Sequence, residues 1–320
     1  MAVAVTAAAV LLALPVCAAQ KVIIGGGPTG GTFNTFANAM AIFLPKHITD
    51  VTASAVGSGG SVENVRLVNS GEFTFGMCYA VDTALAAKGK LPKDDTKYDN
   101  TRSMGFLYGA PAQLVVRADA GIKSAKDLVG KKVAVGNAGS GAAASAERFF
   151  RHIGVWEKFQ PQFLGYSAAA SALQDGKIDA FWVLVGYPNR SIIEASVQVK
   201  IALLNLGQLA EESGFYNEFA YAPTTIPAGV YGKDMPACQT FQDSTILTTN
   251  KSVPEDVVYN VMKALWSKEG MEAMSAAQKT FKEMNLDNNF QGSSVPLHKG
   301  AAKFWKEMGK EIPAKLQPVD

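Results

Sequence analysis

The stretch KVIIGGGPTGGTFNTF (residues 21–36) decides the fold class of this chain. It reads as a short apolar strand, a glycine-rich turn and the start of a helix, which together open an α/β unit. The glycines Gly25, Gly27 and Gly30 match the G-x-G-x-x-G pattern of flavin and nicotinamide enzymes. That pattern also needs an acidic side chain about 20 residues later to hold the ribose. The second predicted strand runs instead into GSGGS at residues 57–61, so the turn favours an anion smaller than a dinucleotide.

The residues before this stretch have the pattern of an export signal. Residues 2–14 are apolar and uncharged, and the small residues at 17–19 suit a signal-peptidase site. The run is short for a membrane span, and Pro15 interrupts it. We therefore expect a signal peptide over residues 1–19 and a mature chain that begins near Gln20 outside the cytoplasm.

The composition suits a two-domain globular protein without a nucleic-acid partner. The 320 residues are 48% hydrophobic, which is enough for two cores of ordinary size. The 30 basic and 28 acidic residues give a net charge of +2 and form no basic cluster, so no polyanionic partner is expected. Beyond the predicted signal, Cys78 and Cys238 could form a disulfide, but two buried free thiols are the expectation we favour.

Short apolar strands alternate with helical patterns along the whole chain, which predicts an α/β fold with mostly parallel sheets. The second and third strands are predicted at residues 51–56 and 73–77. A weak internal repeat relates residues 66–77 to residues 171–183, with Gly71 and Gly176 in matching places as helix C-caps. Residues 132–150 also repeat the order of strand, glycine-serine loop and helix that opens the chain. These repeats favour two lobes of similar winding.

Two segments are predicted to cross between the lobes. They are residues 102–121, which are apolar and contain a glycine and a proline near their centre, and the late strand at residues 240–249. With these crossings, lobe one comprises residues 20–115 and 240–320, and lobe two comprises residues 116–239.

The sequence contains no set of residues that predicts catalysis. Its three histidines, His47, His152 and His298, are not spaced as metal ligands. There is no P-loop and no G-x-S-x-G nucleophile motif. We therefore predict no catalytic residues, no metal site and no cofactor. The glycine fingerprint keeps one enzyme alternative open, a flavin or nicotinamide oxidoreductase.

Three glycine-rich junctions between a strand and a helix predict an anion site instead. They lie at residues 30–32, 58–61 and 139–141. Each frees backbone N–H donors at a helix N-terminus and adds a hydroxyl group, with Thr32 and Ser61 available as N-caps. Glycine allows an anion to approach the main chain closely. Aromatic side chains that follow strands would close the other side of such a site.

The candidate ligand-binding residues come from these two groups. Those expected at the junctions are Gly31, Thr32, Phe33, Ser58, Ser61, Ser140 and Gly141. The aromatic side chains expected to shape the pocket are Tyr79, Tyr166, Trp182 and Tyr187. Junctions that face one cleft would hold a carboxylate without a dedicated arginine.

The sequence resembles the TAXI family of extracytoplasmic solute receptors over nearly the whole mature chain. The segments that carry the resemblance are GGGPTGGTFNTFANAMA (25–41), GSGGSVENVRLVNSGEFTFGM (57–77), QLVVRADAGIKSAKDLVGKKVAVGNAGSG (113–141), LGYSAAASALQDGKIDAFWVLVGYPN (164–189), TIPAGVYG (225–232) and PLHKGAAKFWKEMG (296–309). Receptors of this family serve TRAP (tripartite, ATP-independent, periplasmic) transporters.

The resemblance implies a periplasmic binding protein of the type II fold, with a ligand cleft between two α/β lobes. It implies a monomer that closes around a small organic anion and delivers it to a TRAP membrane permease. Dicarboxylates, 2-oxo acids and glutamate-like amino acids are the implied ligands. Where the family usually has Gln after the third strand this chain has Tyr79, and Val81 stands where an Asp is usual. The alternative partner is an ABC importer, whose receptors share the same fold and pocket.

Overall fold

The computed structural model describes residues 19–319. The predicted signal peptide lies outside this range except for its last residue. Within the described range no helix combines the length and the apolar character needed to cross a bilayer.

Strands and helices alternate along the described chain. Ten strands, β1 to β10, span Gln20–Gly25, Val51–Val56, Phe75–Tyr79, Thr101–Arg117, Lys132–Ala134, Gln160–Gln162, Ala180–Leu184, Ile201–Leu204, Ala222–Ile226 and Cys238–Asn250. Eleven helices, α1 to α11, span Thr32–His47, Ser61–Ser70, Ala80–Ala87, Gly141–His152, Tyr166–Gln174, Arg190–Gln198, Gly207–Glu212, Phe215–Glu218, Glu255–Leu265, Lys268–Ala277 and Lys299–Glu307. Short 3₁₀ helices span Ala125–Leu128, Trp156–Lys158, Lys279–Glu283 and Ala314–Leu316.

The first lobe is built on a sheet with the strand order β2-β1-β3-β10-β4. Strand β1 pairs in parallel with β2 on one side and with β3 on the other, while β10 pairs antiparallel with β3. A dinucleotide-binding Rossmann sheet has the order 3-2-1-4-5-6, in which β1 lies between β2 and β4. In the observed sheet β1 lies between β2 and β3, so the sheet does not have the strand order of a dinucleotide-binding domain.

The second lobe is built on β5, β6, β7 and β8 around the C-terminal half of β4. Strand β5 pairs in parallel with β6 and β7. Residues Ala112–Val116 of β4 pair antiparallel with β7, and residues Leu114–Arg117 pair antiparallel with β8. Each lobe thus has three parallel strands beside one antiparallel strand, which is β10 in the first lobe and β4 in the second.

The strands β4 and β10 belong to both lobes. They pair antiparallel with each other from Thr101 opposite Asn250 to Pro111 opposite Gln242. The N-terminal residues of β10, Cys238–Gln242, pair antiparallel with β9. The fold class predicted from the sequence, α/β with two lobes and a cleft between them, is confirmed. The expectation of mostly parallel sheets is wrong, because β4 and β10 pair antiparallel with all their neighbours. We retain as a proposal the division at residues 115/116 and 239/240, which falls within these two strands.

The C-terminal helices α9, α10 and α11 pack on the first lobe, against α1 and β4. Two tryptophans anchor them: Trp266 and Trp305 are buried and make an edge-to-face contact at 5.5 Å. The indole of Trp305 donates a hydrogen bond to the carbonyl oxygen of Met104 on β4 at 2.8 Å. Gly105 lies beneath both rings, because a Cβ there would lie 2.7 Å from Trp266 Cζ2 and 3.1 Å from Trp305 Cζ2.

Candidate functional site

A small enclosed cavity lies between the lobes, at the carboxyl ends of their parallel strands. Its volume is about 20 Å³, which is room for about one water molecule. The residues that line it are Pro28, Gly31, Thr32, Phe33, Gly59, Gly60, Ser61, Tyr79, Asn137, Ser140, Gly141, Ala142, Gly165, Tyr166 and Val185. These follow or end β1, β2, β3, β5, β6 and β7, and open α/β sheets bind ligands at this edge.

Five helices begin at the cavity. In one of them, α3 with Tyr79 as N-cap, the N–H of Val81 already donates to Asp243. The other four come from both lobes, two from each. The first lobe contributes α1, with Gly31 as N-cap, and α2, with Gly60 as N-cap. The second lobe contributes α4, with Ser140 as N-cap, and α5, with Gly165 as N-cap. The first N–H groups of a helix have no partner within the helix, and the helix dipole favours negative charge there. The cavity is therefore surrounded by four partial positive charges.

Two glycines allow the two lobes to lie in close contact at the cavity. Gly60 has φ of +116°, a backbone conformation that other residues rarely adopt. Gly141 begins α4, and a Cβ at this position would lie 2.5 Å from Asp82 Oδ2 and 2.7 Å from Ser61 Cβ, both in the first lobe. Any side chain at position 141 would therefore separate the lobes.

The structure brings most of the predicted site residues together at this cavity. Those that line it are Gly31, Thr32, Phe33, Ser61, Tyr79, Ser140, Gly141 and Tyr166. Ser58, Trp182 and Tyr187 do not line it. The cavity also takes in residues that the sequence analysis missed, chiefly Asn137 and the start of α5 at Gly165.

The prediction that Thr32 and Ser61 act as helix N-caps is wrong. Glycines hold both cap positions, and each hydroxyl group has another partner. Ser61 Oγ accepts a hydrogen bond from the backbone N–H of Tyr79 at 2.8 Å. Thr32 Oγ1 accepts one from Gln278 Nε2 at 3.1 Å. Ser140, in contrast, caps α4 through its side chain, which accepts from the N–H of Ala143 at 3.0 Å.

The three predicted residues outside the cavity have structural environments of their own. Trp182 is buried in the second lobe, where it stacks on Phe149 and donates to Ser145 Oγ at 3.0 Å. Tyr187 is half-buried and precedes a cis proline. Ser58 lies in the loop after β2, where its hydroxyl contacts the side chain of Asn64.

Asn64 holds the loops of the first lobe around the cavity. It is fully buried, and its amide donates to the carbonyl oxygens of Gly26 and Met77, each at 2.8 Å. Its Oδ1 accepts from Ser58 Oγ at 2.7 Å. One side chain therefore connects the loops that follow β1 and β2 with the middle of β3.

Asn64→Ala is expected to lower the free energy of unfolding by about 1–3 kcal/mol, because it removes the buried hydrogen bonds of Asn64 to Gly26, Met77 and Ser58. The loss is measured by denaturant titration. Asn38→Ala is the matched control, since Asn38 is exposed and its amide bonds only within α1, to Asn34. Equal losses in the two variants would contradict this role of Asn64.

A buried charged cluster lies beside the cavity and joins the lobes. Asp82, on α3 of the first lobe, accepts a hydrogen bond from the Arg148 guanidinium, on α4 of the second lobe. Arg148 Nη1 also donates to Tyr221 Oη at 2.6 Å. Asp243, on β10, lies next to this pair, and its Oδ1 is 3.3 Å from the N–H of Val81. Asp82, Arg148 and Asp243 each have one polar atom without a hydrogen-bond partner.

Asp243 is expected to make stability depend on pH. Burial, with a smaller contribution from the charge of Asp82, raises the pKa of its carboxyl group to about 8, whereas the value in an unfolded chain is about 3.9. Between these values the unfolded state releases a proton that the folded state keeps. The folded state then binds more protons, so this group lowers stability progressively as the pH rises.

Asp243→Asn removes the titrating group and keeps the shape of the side chain. We expect the stability of this variant, relative to the wild type, to increase as the pH rises from about 4 to about 8. Denaturant midpoints at several pH values measure the difference. Parallel profiles for the two proteins would show that Asp243 does not titrate in this range.

Comparisons with known proteins give one family and a set of structures. A family model described as the NMT1-like family matches residues 24–309. Among solved structures, the periplasmic aliphatic sulphonate binding protein SsuA from Escherichia coli is 14% identical, with 90% of each chain covered and a TM-score of 0.46. The alkanesulfonate-binding protein SsuA from Xanthomonas axonopodis pv. citri is 12% identical, with 94% of this chain and 87% of that chain covered and a TM-score of 0.46. A putative L-cystine ABC transporter protein from Listeria monocytogenes is 12% identical, with 82% and 95% covered and a TM-score of 0.49.

Proposed function

The chain belongs to the NMT1-like family, and from this premise we propose that it is a periplasmic solute-binding protein that holds a small organic anion between its two lobes. One observation carries the proposal: four helix N-termini, two from each lobe, surround one cavity. Each terminus stabilises an anion by about 0.3–1 kcal/mol, and by up to about 2 kcal/mol when partly buried. Hydrogen bonds to the charged group add about 1.5–3 kcal/mol each.

The ligand stabilises the closed arrangement of the lobes. Because each lobe contributes two of the helix N-termini, an anion makes its full set of contacts only when the lobes are together. A ligand shifts a conformational equilibrium by its difference in affinity for the two states. Bending of β4 and β10, which join the lobes, would open and close the site as a hinge.

We propose a membrane permease as the partner and the periplasm as the location. The sequence resemblance supports a TRAP permease and an organic anion such as a dicarboxylate, a 2-oxo acid or a glutamate-like amino acid. An ABC importer is the second candidate. A large membrane subunit encoded beside this gene would identify the TRAP system, and a gene for an ATPase subunit in that place would identify the ABC system.

A thermal-shift screen tests the anion site. Carboxylic acids and amino acids are compared with neutral amides of the same size, such as acetate with acetamide. A ligand present at 100 times its dissociation constant stabilises the folded state by about 2.7 kcal/mol, so binding anions raise the melting temperature. If the neutral amides raise it as much as the acids, the helix N-termini do not select for charge. If no anion raises it, the proposed function fails.

A further inference from the structure

Two tyrosines cross the cavity from opposite lobes. Tyr79, at the end of β3 in the first lobe, packs against Gly141 of the second lobe, where a Cβ would lie 2.7 Å from Tyr79 Cδ2. Tyr166, at the start of α5 in the second lobe, packs against Gly31 of the first lobe, where a Cβ would lie 3.7 Å from Tyr166 Cε2. Each ring therefore lies against a glycine at the beginning of a facing helix, in the space between the helix N-termini.

Both phenol groups are bound to the same acceptor. The hydroxyls of Tyr79 and Tyr166 donate to the carbonyl oxygen of Leu184, at the end of β7. The two side chains are buried, and Phe33 packs on the Tyr79 ring with a centroid separation of 5.0 Å. Burial raises the pKa of Tyr166 to about 12 and that of Tyr79 well above its ordinary value, so both phenols keep their protons at neutral pH.

This arrangement limits the size of the ligand. A phenol has one proton to donate, and here both protons are directed to Leu184. A long ligand would rotate a ring away from this carbonyl and leave buried polar groups unpaired, which is costly. The cavity volume of about 20 Å³ shows how little space the two rings leave. Any ligand larger than a water molecule therefore displaces protein atoms, and each additional methylene group increases this displacement.

We propose that Tyr79, together with Tyr166, sets the upper size of the ligand, so that the site takes a compact monocarboxylate such as acetate in preference to a longer dicarboxylate. The inference rests on the proposed function and narrows its ligand class. The helix N-termini supply the attraction for the carboxylate, and the two rings supply the selection by length. Tyr79 is the more decisive of the two, because its hydroxyl bond to Leu184 joins one lobe to the other.

Calorimetric titration with two homologous series tests the proposal. The wild type is titrated with acetate, propionate and butyrate, and with malonate, succinate and glutarate. We expect acetate to bind most tightly of the six and affinity to fall about 10-fold or more with each added methylene group. Tyr79→Ala is expected to raise the affinity for succinate by about 10-fold or more, because it removes the ring from the cavity.

Matched variants separate the size of the ring from its hydroxyl group. Tyr79→Phe keeps the ring but loses the hydrogen bond to Leu184, so it should raise the affinity for succinate by less than Tyr79→Ala does. Tyr79→Leu replaces Tyr79→Ala if the latter does not fold. Tyr231→Phe is the control, since Tyr231 is a buried tyrosine outside the cavity whose hydroxyl donates to Gln113 at 2.7 Å. Tyr231→Phe should keep the wild-type order of the six affinities.

Three results would overturn the inference. If the wild type binds succinate or glutarate more tightly than acetate, the size limit is wrong while the anion receptor stands. The same holds if folded Tyr79→Ala and Tyr79→Leu bind succinate no more tightly than the wild type does. If none of the six anions binds to the wild type, the proposed function and this inference fail together.

Discussion

Arg148→Met is expected to lower the free energy of unfolding by about 3–5 kcal/mol, because it leaves the carboxylate of Asp82 buried without its counter-charge. The side chain of Asp82 is fully buried and that of Arg148 is 7% exposed. Because the two residues come from different lobes, this loss of stability applies to the closed arrangement of the lobes. The loss of Arg148 also removes the hydrogen-bond donor to Tyr221. Denaturant titration at neutral pH measures the effect.

Two further variants show whether the buried charge is the cause. Arg151 lies on the same helix but is half-exposed, and it pairs with Glu147 and Glu157. Exposed pairs contribute about 0–1 kcal/mol, so Arg151→Met should have a small effect. Combining Asp82→Leu with Arg148→Met removes both charges and should restore part of the lost stability. Similar losses in Arg148→Met and Arg151→Met, or no recovery in the double variant, would refute the explanation.

Gly141→Ala is expected to weaken anion binding by roughly 5- to 150-fold, which corresponds to an overpacking cost of about 1–3 kcal/mol. The added methyl group would overlap Asp82, Ser61 and Tyr79 of the first lobe. Opening of the lobes relieves this overlap, so the substitution penalises the closed state far more than the open state. Calorimetry with the tightest-binding anion measures the change in dissociation constant.

Gly57→Ala is the matched control for this prediction. Gly57 lies in the loop after β2, close to the site, but a Cβ there would contact only the carbonyl oxygen of Gly27, at 4.0 Å. Its affinity should remain close to that of the wild type. If Gly141→Ala binds as tightly as Gly57→Ala, the close approach of the lobes at position 141 is not required for binding.

The fold was predictable because it depends on local patterns that are repeated along the chain. The strand predicted at residues 51–56 has these bounds in the structure, and the two crossing strands lie close to their predicted positions. Gly71 is a left-handed C-cap of α2, as the repeat predicted, whereas the C-cap of α5 is Asp175 and Gly176 is the left-handed residue that follows it. The third strand was placed two residues early, at residues 73–77, because Phe73 is apolar but packs outside β3.

The candidate site was less predictable, because it depends on contacts between distant parts of the chain. Gly165, the N-cap of α5, was missed although its neighbour Tyr166 was predicted, because it lies outside the three glycine-rich junctions found in the sequence. Trp182 was assigned to the pocket because it is an aromatic residue in a late strand, but its indole lies in the core of the second lobe. The pair of Asp82 and Arg148 gave no signal, since its partners are 66 residues apart and meet only when the lobes do. Cys78 and Cys238 are buried free thiols, which was the favoured expectation.

The pairing of β4 with β10 also bears on how such receptors can diversify. The chain leaves the first lobe along one of these strands and returns along the other, and Pro111 lies directly opposite Gln242. The two ends of the intervening segment are therefore about 5 Å apart, the ordinary spacing of neighbouring strands. A segment with adjacent ends can be exchanged as a cassette without moving the remainder of the molecule. Recombination at these two points would graft one half of a binding site from a related receptor onto the other half, and so create new ligand preferences in a single genetic event.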